Sequence, residues 1–443
     1  MGLDKTSRKF LQNELKERDI LSQEELDMLS GNVKQLASLA SSMDKIDPRM
    51  AGKIEYSASL IMLVALMGVF AGAQTWNQIA NYSKAKLCVI KRFFPDIEET
   101  PSHDTLRRFF MIVKPEALEE AYRGWARSFQ ENSFSDIAKD EVKSEENSEC
   151  YVERHHYAID GKTICGAIDP DKLYEEKKGD ITWEQAEHAK LHMVSVYSTE
   201  CGISMGQERV EVKENELAAI PKLIDSLNLG KGDIVTIDAM GTHTKFAEKI
   251  VSTGADYLFE VKDNQKNLRK HIELCMDTFL EHRERTKLYK VAEETLKDHS
   301  QTTHRQCFVY TFDGLMRDYA EKWPGFSTFG VIMTTRTKKD GTSVKENHYF
   351  ITSLPRDPAL IMKHKREHWQ VENALHWNLD VIFNEDRGRK MMDSAQNYSL
   401  LTKMALAILK KDKKKMPMTD KRLMAGWDDN YMYSLVNQFV ANF

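Results

Sequence analysis

Tyr157-Ala158-Ile159-Asp160-Gly161-Lys162-Thr163 is the stretch on which the fold class turns. A short apolar run that delivers one acid reads as a strand reaching the carboxyl edge of an α/β sheet, where such sheets present their ligands. Asp-Gly is also a common turn pair, so this stretch alone equally suits an acid that opens a tight turn. Ile234-Val235-Thr236-Ile237-Asp238 repeats the arrangement without the glycine. A third acid, Glu372, lies in Arg366-Glu367-His368-Trp369-Gln370-Val371-Glu372-Asn373-Ala374-Leu375-His376-Trp377. There Val371, Leu375, Leu379 and Ile382 recur at helical spacing, with His368, Glu372 and His376 along the neighbouring edge. Two acids at strand ends and a third on a late helix suit a phosphodiester-cutting site, where two divalent cations roughly 3.5–4 Å apart share hard-oxygen ligands. Asp380, Glu385 and Asp386 compete with Glu372 for the third place.

At 443 residues, with ordinary globular composition, the chain has room for two or three cores. Its six cysteines are scattered without a Cys-x-x-Cys pair, which suits a reducing cytosol rather than a disulfide framework. Residues 1–16 are polar and helix-forming, unlike a secretory signal. Residues 57–73 carry no charge, but Gly68 and Gly72 interrupt them and no basic cluster brackets them, so they read as a buried helix. The net charge of −5 is mildly unfavourable for a nucleic-acid partner, yet its distribution is uneven. Residues 131–149 form an acidic island, and 387–422 a basic tract placed to meet phosphate.

Residues 1–45 read as a polar helical extension in which Ser22 and Glu25 have capping-box spacing. Residues 46–130 are dense in helical periodicity, with a further helix start at Ser102, and 131–149 reads as a linker. From 150 to 411 the order strand-strand-strand-helix-strand-helix-strand predicts an α/β domain, a mixed sheet with helices packed on it. Residues 198–202 read as a hairpin turn and 265–350 as a β-rich insertion. One long helix is expected over 358–383, and a basic, helical tail over 412–443. The pairs His155-His156 and His188-x-x-x-His192 are weak metal signals.

These residues resemble the ISAs-one branch of insertion-sequence DDE transposases, also called H-repeat-associated proteins. The resemblance runs from about 44 to 410 through Asp47-Pro48-Arg49, Pro101-Ser102-His103-Asp104-Thr105, Ala158-Ile159-Asp160-Gly161-Lys162-Thr163 and Val235-Thr236-Ile237-Asp238-Ala239-Met240. It continues through Asn264-Gln265, His368-Trp369-Gln370-Val371-Glu372-Asn373, His376-Trp377-Asn378-Leu379-Asp380-Val381, Glu385-Asp386 and Arg389. Cys165 stands where the family pattern has a basic residue, and Asp263 where it has glycine.

The resemblance implies an RNase H-like catalytic domain preceded by a helical family-associated domain, the latter the expected module for recognising DNA ends. Asp160, Asp238 and Glu372 would be its metal-binding triad, with Asp160 shared between two Mg²⁺ (or Mn²⁺) ions. His368 would orient Glu372 or touch phosphate, and His243 would act similarly. Lys162 and Lys262 would meet the scissile strand. His376, Asn373, Trp369, Arg387 and Arg389 are further supporting or DNA-contact positions. The implied partners are double-stranded DNA, as terminal inverted repeats and as target, and a second copy of the chain for synapsis. The implied location is the cytoplasm, at the nucleoid, with no membrane association. The rival readings are a catalytically inactive transposase-derived DNA-binding protein and a nuclease of the same fold without strand transfer.

Overall fold

The computed structural model describes residues 23–140, 154–168, 190–210, 216–281, 289–298, 301–311, 316–388 and 390–443. The chain divides into two compact units, residues 133–391 and residues 1–132 with 392–443. Ser22 of the expected capping box and His188 lie outside the described residues, as do 141–149 of the acidic island. The earlier part of that island continues the helix Pro115–Asp140.

The unit 133–391 is built on one ten-stranded sheet. Its strands are β1 (His156–Ile168), β2 (Lys190–Ser198), β3 (Ile203–Val210), β4 (Ile234–Ile237) and β5 (Asp256–Val261), then β6 (Tyr289–Lys297), β7 (Gln301–Thr311), β8 (Thr328–Lys338), β9 (Ser343–Thr352) and the short β10 (Lys390–Met391). The order is β3-β2-β1-β4-β5-β9-β8-β7-β6, with β10 beside β1. The first five strands therefore run 3-2-1-4-5, with β2 antiparallel to its neighbours β1 and β3 and with β4 and β5 parallel to β1. That is the RNase H-like topology. The insertion is β-rich, and its strands extend this same sheet: β9 pairs antiparallel with β5, and β8, β7 and β6 follow.

The first strand does not stop at Asp160. It pairs parallel with β4 only from His156 opposite Ile234 to Ile159 opposite Ile237, while its antiparallel pairing with β2 continues past Asp160 to Ile164. Asp160 thus marks the end of the parallel pairing, and the strand runs on because β2 still satisfies its backbone. The hairpin β2–β3 turns where expected, with Gly202 at φ 67°.

The segment expected as one helix over 358–383 begins as the α-helix Pro358–His368, capped by Asp357. It then widens into π turns over Val371–His376 and Asn378–Ile382. In π turns the hydrogen bond reaches five residues on rather than four, which widens the helix locally. Asn384 ends the segment in the left-handed region at φ 52°.

The other unit is helical in its described part. The helix Ala58–Phe70 is buried along its whole length, and among the described residues no helix is long and apolar enough to cross a membrane. Ser102 caps the helix His103–Ile112 by accepting from the Thr105 amide, as its sequence predicts. The helix Met392–Lys411 packs with this unit: Asn397 Nδ2 donates to the Phe110 and Val113 carbonyls at 3.0 and 2.9 Å. Trp76 stacks on Phe110 and meets Tyr398 edge-on. Part of the basic tract is spent inside. Lys421 and Arg422 are buried and donate to the carbonyls of Leu409 and Val69, and burial pushes Lys410 down to about 8.

Candidate active site

β1 and β4 deliver their acids side by side. Ile159 lies opposite Ile237 in parallel register, and each is followed by an aspartate, Asp160 and Asp238. Alternation along the strands puts Asp160 on the same face of β1 as Ala158 and His156. After Asp238 the chain turns sharply through Ala239–Gly241, and the Asp238 carboxylate caps that turn through the Ala239 amide. A side chain at position 241 would lie 2.2 Å from Ile237 Cγ2, so this turn needs glycine.

Burial, then the negative charge of Asp238, pushes the Asp160 carboxyl up to about 7; Glu372 and Glu216 push the same way, and the Gly161 amide pulls against them. Four carboxylates therefore bear on one place. His376 Nδ1 lies 3.5 Å from Asp160 Oδ2, and Lys262 Nζ lies 3.6 Å from Asp238 Oδ1. Desolvation works against the Lys262 ammonium, but Glu260 and Asp238 outweigh it and hold it above its ordinary range.

The competing acids are engaged elsewhere. Lys162, itself buried, forms ion pairs with Asp380 and, at 2.9 Å, with Glu385. Asp386 accepts from the Cys165 amide at 3.1 Å. Glu372 is exposed, and its carboxylate makes no hydrogen bond or ion pair among the described residues. Lys162 was expected at the scissile strand; it is instead the internal counter-ion of a turn packed on β1. Gly166 allows that approach, since a Cβ there would meet the Asp386 and Gly388 carbonyl oxygens at 2.7 and 2.8 Å.

The remaining predicted positions separate. His368 is buried and meets the Thr236 hydroxyl at 2.9 Å. Burial, aided by Lys365, holds its imidazole well below the usual histidine range. Trp369 packs edge-on to His348 beneath the Arg305 and Lys365 cations. Asn373 is exposed and donates to the Trp369 carbonyl. His243 leans on Phe246. Arg387 is exposed, and Arg389 lies outside the described residues.

Two groups escaped the sequence reading. Glu216, at the start of the helix Glu216–Ser226, packs where a Cβ on Gly161 would stand, 2.4 Å from its Oε1. It is held by His192 Nε2 at 2.6 Å, and the other ring nitrogen of His192 lies 2.9 Å from the Thr163 hydroxyl. Glu260 is buried between Lys365 at 2.6 Å and His348 at 2.8 Å. Burial would raise its carboxyl, but these two and Lys262 hold it well below the carboxylate range. Neither acid follows a local motif; only the packing of helices on the sheet brings their partners to them.

A 3-2-1-4-5 sheet core with neighbouring aspartates where its two central parallel strands part defines an RNase H-like protein. The Transposase DDE domain model matches residues 153–408, and the DDE_Tnp_1-associated model matches residues 43–126. The chain belongs to the DDE transposase family. The H repeat-associated protein YhhI of Escherichia coli (strain K12) is 29% identical over 88% of this chain and 95% of its own length. YncI of Escherichia coli O157:H7 is 30% identical over 84% of this chain and 88% of its own. Both names contain the word transposase. Among solved structures, a piggyBac transposase synaptic complex with hairpin DNA gives a TM-score of 0.36 at 11% identity, over 94% of this chain and 78% of that one.

Proposed function

We propose that this chain is an insertion-sequence transposase that cuts DNA at the ends of its element and joins them to a target. Asp160, Asp238 and Glu372 would hold two Mg²⁺ (or Mn²⁺) ions. The observation that carries this reading is the pairing of Asp160 with Asp238 at the ends of parallel strands, with Glu372 close enough to bear on Asp160. The donor set fits hard divalent cations: the groups are carboxylate oxygens, and their mutual repulsion is what bound cations would relieve. When bound, such ions lower the pKa of an attacking water and neutralise charge on the leaving oxygen.

The chain's own residues orient this set. His376 steadies the Asp160 carboxylate from one side, and Lys262 offers a cation beside Asp238 for a strand phosphate. Lys162 removes Asp380 and Glu385 from competition, which favours Glu372 as the third ligand. Double-stranded DNA, as element ends and target, would be the substrate in the cytoplasm. Joining two ends calls for at least two copies of the chain, with residues 46–130 as the expected end-recognition module.

The test is cleavage of a labelled duplex carrying the element's own end, in Mg²⁺, by wild type and Glu372→Gln. Cleavage by wild type alone, abolished by EDTA, is the expected result. End binding without cleavage by either protein would favour the inactive DNA-binding reading. Equal cleavage by both would remove Glu372 from the site.

A further inference from the structure

Below the acids, on the same face of β1, His156 meets the helix Pro358–His368. Its Nδ1 lies 3.4 Å from Glu367 Oε2, and His364 Nδ1 lies 2.9 Å from the same oxygen. His364 and Glu367 are one helical turn apart (i, i+3) and so share a face. One ligand atom from each of the three residues fits within a 4.8 Å span. Both histidines are fully buried, and the Glu367 side chain is 17% exposed.

We propose that His156, His364 and Glu367 form a binding site for a zinc-class transition-metal ion, separate from the carboxylate site. Tetrahedral zinc with ligands at 2.0–2.2 Å places its donor atoms roughly 3.3–3.5 Å apart, which the two observed separations approach without rearrangement of the backbone. Two imidazoles and one carboxylate suit zinc, whereas Mg²⁺ prefers oxygen donors and keeps its water. The surroundings also supply the hydrogen bonding that orients a metal-bound histidine. His156 Nδ1 also lies 3.0 Å from the Thr199 hydroxyl, a contact the ion would replace; with Nδ1 on the metal, His156 carries its proton on Nε2 and donates to the Thr236 hydroxyl at 3.0 Å. That hydroxyl can pass its own proton toward neutral His368, whose Nδ1 is 2.9 Å away.

The position gives the ion a structural role. His156 stands four residues before Asp160 on β1, Thr236 two residues before Asp238 on β4, and Glu367 five residues before Glu372. An ion here ties the segment carrying Glu372 to both aspartate strands. The proposal rests on the histidine–glutamate geometry and not on the assignment of the carboxylate triad.

Co²⁺ replaces Zn²⁺ and gives intense visible bands when tetrahedral, but only weak ones when six oxygens surround it. The full-length, untagged Asp160→Asn/Asp238→Asn protein is titrated with Co²⁺ to silence the carboxylate site. Intense bands saturating at one equivalent are expected, bleached by Zn²⁺ and unaffected by excess Mg²⁺. Glu367→Gln and His364→Gln should lose them, and Thr236→Val should weaken binding about 10–100-fold. Absence of intense bands in a protein shown by circular dichroism to be folded would overturn the proposal and leave a histidine–carboxylate ion pair. Bands that persist in folded Glu367→Gln and His364→Gln would overturn it too. If those variants fail to fold, the spectrum of the double aspartate variant decides alone.

Discussion

His376 Nδ1 lies 3.5 Å from Asp160 Oδ2, and His376 closes a segment, Val371–His376, wound as a π-helix. Along that segment Glu372 is exposed, while His376 is turned to the strand acid. His376→Gln should therefore slow single-turnover strand cleavage by roughly 10–100-fold, the usual loss when a residue orienting a metal ligand is removed. Duplex affinity, measured in the same buffer, should hold. An unchanged rate would show that Asp160 needs no such support.

Lys162 faces two carboxylates with little water around it. Glu385 and Asp380 outweigh the desolvation that would discharge its ammonium, and they hold it above its ordinary range. Removing the cation leaves those acids without compensation, so Lys162→Met should cost about 3–5 kcal/mol. Urea unfolding measures this. The double change Lys162→Met/Glu385→Gln should recover part of the loss, and a single variant as stable as wild type would contradict the account.

Asp160 makes the metal-free protein sensitive to pH. Its carboxyl is pushed up to about 7, from an ordinary value of 3.8, so the fold without cations prefers the neutral form. The associated stability is complete below the unfolded value and is lost as pH rises through about 7. Metal-free wild type should lose thermal stability between about pH 4 and pH 7 relative to Asp160→Asn, and change little above that. Mg²⁺ should raise Tm more at the upper end, where cations no longer compete with a proton. Parallel curves for the two proteins would show that Asp160 titrates as an ordinary carboxylate.

Gly241 sets the direction of Asp238. A Cβ there would meet Ile237 Cγ2 at 2.2 Å and Ile220 Cδ1 at 3.1 Å. Gly241→Ala should cost about 1–3 kcal/mol through overpacking. It should also reduce cleavage more than the stability loss explains, because the displaced turn is the one Asp238 caps. A variant with wild-type Tm and wild-type cleavage would mean that the turn relaxes freely.

The sequence by itself determined the local elements. Apolar runs of strand length announced β1 and β4, helical spacing announced the segment of Glu372, and Ser102 announced a helix start. These readings succeed because backbone propensity and capping act within a few residues. Only the tertiary structure decided the rest. The run of β1 past Asp160 depends on β2, its antiparallel partner. The strands of the insertion extend the central sheet because β9 finds the free edge of β5. Lys162 is drawn from an expected DNA contact into an ion pair with residues more than two hundred positions away. Which carboxylates stand together uncompensated, and which are neutralised by a neighbour, depends on distances across the fold. Desolvation and pairing act through space, and no local pattern in the chain encodes them.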